Sequence, residues 1–116
     1  MRQISQKNRK MIDTDPFYRK CVRASDGGCR GRITIEHAIV FGGKQLDELW
    51  SLLPLCAFHH AVDEFQDGGD LNKEKNIWLA LCRATDEELI RISKAVDYLR
   101  LRDALTKRYA LSTCNV

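Results

Sequence analysis

The stretch ITIEHAIVFGGKQLDELWSLLPLCAFHH, residues 33–60, decides how this chain reads. Residues 33–40 are rich in β-branched side chains and follow the turn Asp26-Gly27-Gly28, so they read as a strand. A loop with Gly42 and Gly43 comes next, and Cys56 to Phe65 then reads as a short helix. Strand, loop and helix in so short a span indicate an α+β fold. All three histidines (His37, His59, His60) lie in this stretch. Residues 21–67 also hold three of the five cysteines and five of the seven glycines, so any chemistry concentrates here.

Cys21, Cys29, Cys56 and His59 form two pairs, Cys-x7-Cys and Cys-x2-His. The second spacing places two soft ligands on one ion at a turn-to-helix junction. The first is wide, but Asp26-Gly27-Gly28 can fold it back. Four such ligands suit tetrahedral Zn²⁺ in a closed structural site, which adds the folding energy a small core lacks. The plain alternative is a set of buried free cysteines. Cys82, in the apolar run Trp78-Leu79-Ala80-Leu81, reads as a core residue, and Cys114 lies in the tail.

Glu36-His37 at a strand end, the Trp50–Cys56 segment and the His59-His60 pair together resemble the HNH endonuclease family (His-Me finger, ββα-metal), most of all its small phage and prophage members. The resemblance covers residues 17–67. It implies a ββα-metal core stapled by zinc, with flanking helices. It also implies a divalent ion, Mg²⁺ or Mn²⁺ (with Ni²⁺ or Zn²⁺ usable in vitro), held by Glu36 and His60, and His37 as general base. Glu64, four residues after His60, falls where the family has its last His or Asn and could join the same ion. Ser51 falls where the family's central Asn supports the loop and orients the base. Two readings follow: an endonuclease hydrolysing phosphodiester bonds of DNA, or a zinc-stapled DNA-binding module with weak or no activity.

The third part of the chain reads as helical. Asp70 can cap a helix running to about Ala84. Thr85 and Glu88 have capping-box spacing at the start of a long amphipathic helix with Leu89, Ile92, Val96 and Leu99 on one stripe, extended by Leu101 and Leu105. That helix could pack on the one containing Trp78 or pair two copies as a homodimer. Trp50 and Trp78 read as core residues. The chain of 116 residues is thus one domain, with its core at 17–67 and a helical extension at 70–111.

Charge is unevenly spread behind the net +3. Residues 1–35 carry +6, residues 36–84 carry −4 and residues 85–116 carry +1. A basic lead-in beside an acidic middle suits a phosphate-binding surface next to a cation site. Arg2, Lys7, Arg9, Lys10, Arg19, Lys20 and Arg23 are candidates for phosphate contact, with Lys44 and Gln45 near the substrate on the loop. Asp15-Pro16 looks like a helix start. No stretch approaches the roughly 18 apolar residues of a membrane span. The polar N-terminus has no apolar segment behind it, so the expected location is cytoplasmic, in a bacterial host if the chain is phage-encoded.

Overall fold

The computed structural model describes residues 4–41, 44–60 and 73–114. In chain order its elements are α1 (Gln6–Thr14), β1 (Ile33–His37), β2 (Val40–Phe41), β3 (Lys44–Gln45), β4 (Leu52–Cys56), α2 (Ala57–His60), α3 (Lys73–Arg83), α4 (Asp86–Ile92) and α5 (Tyr98–Cys114), with single 3₁₀ turns at 16–19, 24–26 and 49–51. The class is α+β, as the sequence indicates. None of the described helices is long and apolar enough to cross a membrane.

The frame is one antiparallel hairpin. β1 pairs with β4 in a register that sets Ile33 opposite Cys56, Glu36 opposite Leu53 and His37 opposite Leu52. Successive residues of a strand face opposite sides, and β4 shows the consequence. Leu53 and Leu55 join Trp50, Ala80, Leu81, Leu89 and Leu105 in the main core, whereas Leu52 joins Ile12 and Tyr18 on the other side. All three β4 leucines are completely buried. Truncating either main-core leucine to alanine would destabilise by about 2–5 kcal/mol.

The expected strand to residue 40 ends at His37. Ala38 N–H donates to the Ser51 carbonyl, and Leu46 N–H to the Ile39 carbonyl, which turns the chain out of the hairpin. Val40–Phe41 then pairs with Lys44–Gln45 in a separate small ribbon.

The basic lead-in is structured. Ser5 caps α1 through Asn8 N–H, and Asn8 and Ile12 are buried, a spacing of four that places both on one helical face. Asn8 Nδ2 donates to the Asp47 carbonyl and carboxylate, tying α1 to the loop before β4. Asp15 caps the turn at Pro16, as the sequence suggests. Arg83 on α3 then ties the 16–19 turn to β4. Its Nη1 donates to the Tyr18 hydroxyl and the Leu52 carbonyl, and its guanidinium lies 4.2 Å from the Phe17 ring centroid.

The long amphipathic helix is two helices. The capping box of Thr85 and Glu88 forms and opens α4, but α4 stops at Ile92. Ser93 Oγ donates to the Leu89 carbonyl and accepts from Tyr98 N–H, and Asp97 Oδ1 accepts from Arg100 N–H. These two short polar side chains satisfy backbone groups at a helix end and a helix start, so the chain breaks between them. Val96 is accordingly exposed. α5 still packs against α3: Trp78 Nε1 donates to Thr106 Oγ1, and its ring stacks on Tyr109. Trp50 is buried, as expected of a core residue. Cys82 is exposed, contrary to the core reading, because α3 turns Asn76, Ala80 and Leu81 inward. The expected helical stretch 61–65, the cap at Asp70, and Glu64 lie outside the described residues.

Candidate metal centres

Gly27 and Gly28 both have φ +79°, a left-handed backbone that disfavours any side chain. That double reversal returns the chain so that Cys29 comes back to Cys21. Val22 N–H donates to the Pro54 carbonyl and lays this loop along β4, while Phe58 N–H donates to the Arg30 carbonyl. Cys56 ends β4, and the first turn of α2 carries His59 to the same point.

Four ligand atoms converge there. Cys21, Cys29, Cys56 and His59 each offer one, all within 4.8 Å of one another. His59 Nδ1 lies 3.4 Å from Cys21 Sγ, 3.6 Å from Cys29 Sγ and 3.2 Å from Cys56 Sγ. One ring nitrogen has one proton or one lone pair, so it cannot hydrogen-bond three thiols at once. A tetrahedral ion accounts for all three distances: Zn–S of about 2.3 Å and Zn–N of about 2.0–2.1 Å imply an S···N edge of about 3.5 Å.

The electrostatics agree. Cys29 is pushed up to about 12, by desolvation of the thiol and by Cys56 and Cys21 beside it, although the residue's outer side is exposed. Burial acts on Cys56 in the same sense, but backbone N–H groups of His59 and Arg30 and the thiols of Cys29 and Cys21 outweigh it and lower its pKa. Three thiols this close resist ionising together, and a bound cation would remove that penalty. The cluster can bind a metal ion such as zinc.

A second polar constellation lies on the face of β1 that carries Thr34 and Glu36. His60, the residue after the cluster histidine, brings Nε2 to 3.6 Å from Glu36 Oε1. That is too long for a hydrogen bond. Two ligands about 2.1 Å from a shared ion stand about 3.0 Å apart at a right angle and about 3.4 Å apart at the tetrahedral angle, so the pair is nearly spaced for a common cation. Glu36 is only 8% exposed. Burial pushes its carboxyl up to about 7, against Lys73, Asn76 and Arg23, which hold it down. Thr34 Oγ1 meets His60 Nδ1.

Asn76 links the two centres. It is fully buried on α3, its Nδ2 donates to the His59 carbonyl at 3.3 Å, and it acts to lower the pKa of Glu36. Arg23 Nη1 donates to Asn76 Oδ1, and Arg23 Nε and Lys75 Nζ both reach Asp26. Arg23 is therefore a buried structural cation and leaves the phosphate set. Lys7, Arg9, Lys10, Arg19 and Lys20 are exposed, with Arg30 and Arg32 beside them in class, whereas Arg2 is outside the described residues. The side chains of Lys44 and Gln45 are outside them too.

His37 follows Glu36 and so takes the opposite face of β1, half-buried. Ser51 is fully buried, and its hydroxyl lies 2.9 Å from the Leu46 carbonyl and 2.7 Å from the Glu48 carbonyl. It thereby pins the 46–48 loop, and its own carbonyl accepts from Ala38 N–H beside His37.

Sequence reasoning missed Thr34 and Asn76 and gave Arg23 a different task. Thr34 was legible as the i−2 neighbour of Glu36 on the same strand face. Asn76 stands four residues before Ala80 on one helical stripe, a polar residue on an inward face. The chain matches no family model, and comparison with curated proteins and solved structures gives no match.

Proposed function

We propose that the chain is a metal-dependent endonuclease of the HNH, ββα-metal type, hydrolysing phosphodiester bonds of DNA. The observation that carries this reading is the approach of His60 Nε2 to the buried Glu36 carboxylate, at 3.6 Å, on the face of a hairpin that leads into a helix. A carboxylate held in a dry site against its preference for water is expected where a cation or a reaction uses it. The Cys21, Cys29, Cys56 and His59 cluster, loaded with zinc, would hold His60 in place through its neighbour.

Glu36 and His60 would hold the divalent ion, Mg²⁺ or Mn²⁺, with Glu64 as the candidate third ligand. When bound, such an ion supplies positive charge to the phosphate oxygens and to the departing 3′ oxygen. His37 would take the proton of the attacking water on a ring nitrogen, a task suited to a group that titrates near neutrality. Ser51 would keep the 46–48 loop closed under β1. The exposed lysines and arginines of residues 7–20 would neutralise backbone phosphates without reading sequence.

The alternative is a zinc-stapled DNA-binding module with weak or no activity. Ser51 favours it, because its hydroxyl serves the Leu46 and Glu48 carbonyls in a place where the family resemblance expects a longer amide side chain. Incubation with supercoiled plasmid under Mg²⁺, Mn²⁺ and chelator separates the two. Metal-dependent nicking by the wild type, lost in His37→Ala, supports the enzyme. Equal background nicking by both proteins with every metal refutes it.

A further inference from the structure

Thr34 touches two partners with one hydroxyl. Its Oγ1 lies 3.0 Å from the Leu55 carbonyl oxygen and 2.5 Å from His60 Nδ1. A hydroxyl has one proton and two lone pairs, and a carbonyl can only accept. The proton of Thr34 therefore goes to Leu55, and what Oγ1 offers His60 is a lone pair. Nδ1 must then be the donor.

We infer that Thr34 fixes His60 as the Nδ1–H tautomer and so leaves the Nε2 lone pair on the side of Glu36. Thr34 is by this argument a positioning residue for the Glu36–His60 pair. Its relevance to metal binding rests on the proposed function, whereas the tautomer follows from hydrogen bonding alone. The assignment matters because a neutral histidine in water prefers its proton on Nε2, which would block that atom as a ligand. The hydrogen bond at one ring nitrogen decides the state of the other, and such outer partners of a metal-binding histidine typically change metal affinity 10–100-fold.

The device is rigid. Thr34 and Leu55 are direct cross-strand partners, so the hairpin register itself aims the hydroxyl at the carbonyl. A β-branched side chain has few χ1 choices, which keeps Oγ1 there. On the other side of the ring, Nε2 faces Glu36 Oε1 at 3.6 Å. A lone pair and a carboxylate facing each other repel unless a positive charge comes between them, either a proton on Nε2 or a metal cation.

The test uses protein with its cysteine cluster loaded with zinc, labelled with ¹⁵N-histidine. Long-range ¹H–¹⁵N spectra at pH 8 report which nitrogen of His60 carries the proton, in the absence of other divalent ions. The wild type and Thr34→Ser are expected to show Nδ1–H. Thr34→Val, which keeps the shape and removes the hydroxyl, is expected to move His60 towards Nε2–H and to weaken Mn²⁺ binding roughly 10–100-fold by calorimetry. An Nε2–H tautomer in the wild type overturns the inference, as does a Thr34→Val spectrum identical to wild type. A wild type that shows Nδ1–H but neither binds Mn²⁺ nor cleaves DNA sinks the proposed function and leaves the tautomer assignment standing. Dispersed amide spectra of Thr34→Ser and Thr34→Val establish that both variants fold.

Discussion

Glu36→Gln should make the protein more stable at neutral pH. The Glu36 carboxyl is raised from its ordinary 4.5 to about 7, chiefly by burial, despite Lys73, Asn76 and Arg23. For an acid shifted upwards, the folded state holds its proton more tightly than the unfolded chain does. Stability from this group is fully present below about pH 4.5 and is lost progressively until the pH passes about 7. At about 1.4 kcal/mol per pH unit, the loss is about 3 kcal/mol when complete and about 1 kcal/mol at pH 5.5. Glutamine has the same shape and no charge, so it escapes that loss. Urea unfolding of both proteins, zinc-loaded and free of Mg²⁺ and Mn²⁺, should show an advantage for Glu36→Gln that grows by about 2 kcal/mol between pH 5.5 and pH 8. The pH-dependent part is the diagnostic one, because any change in packing or polar contact from the amide adds a constant offset. A difference independent of pH would refute the reasoning, and so would one that grows in favour of the wild type. In either case the carboxylate would be solvated or already compensated in the folded state.

Purified protein should contain about one zinc per chain by elemental analysis, and Cys56→Ser should lose the metal and most of its melting transition, because binding there is folding energy. Well-folded protein free of zinc would remove the tetrahedral reading of the cluster. DNA affinity should fall by orders of magnitude between roughly 50 and 200 mM salt if six or more phosphates are contacted, and Arg9→Ala with Lys10→Ala should flatten the slope. Arg23→Ala should instead lower stability with no change in that slope, since its guanidinium is engaged with Asp26 and Asn76; equal slopes for all variants and wild type would disconnect the basic residues from binding. Among nuclease variants, His37→Ala should reduce cleavage by about 10²–10⁴-fold while Mn²⁺ binding stays within error of wild type. Loss of Mn²⁺ binding in that variant would move His37 from proton transfer to metal ligation.

Where the sequence was legible, each local signal matched its tertiary outcome. The glycine pair at 27–28 supplies the reversal that closes Cys21 on Cys29, and the capping box at Thr85 starts α4 where its spacing says. Legibility failed where a short polar side chain serves the backbone. Ser93 and Asp97 end one helix and begin another, yet the apolar spacing of Leu89, Ile92, Val96 and Leu99 runs straight through them. Periodicity reports which side of a helix could be buried and not whether the backbone continues. Arg23 failed for a different reason. The basic residues just before it, Arg19 and Lys20, are exposed, whereas Arg23 meets Asn76 of α3, 53 residues later, and is buried.

Among the described residues, four of the six buried polar side chains gather in one place, and this concentration bears on function more than any single distance. Arg23, Glu36, His59 and Asn76 are all under 9% exposed; hydrogen bonds join Arg23 to Asn76 and Asn76 to His59, and Asn76 and Arg23 both act to lower the Glu36 pKa. Apolar residues of similar volume at these positions would pack with less desolvation, and replacing buried charged groups in this way is often neutral or stabilising. A small domain with a modest core gains nothing in stability from keeping a carboxyl whose pKa stands near 7. Zinc would resolve half of this tension, since an ion on Cys21, Cys29, Cys56 and His59 would add folding energy at the junction from which the polar set extends. Under the proposed function, a cation held by Glu36 and His60 would resolve the other half. On this reading the metal-loaded cysteine cluster would support the fold, and that support would let the fold tolerate the buried Glu36–His60 pair.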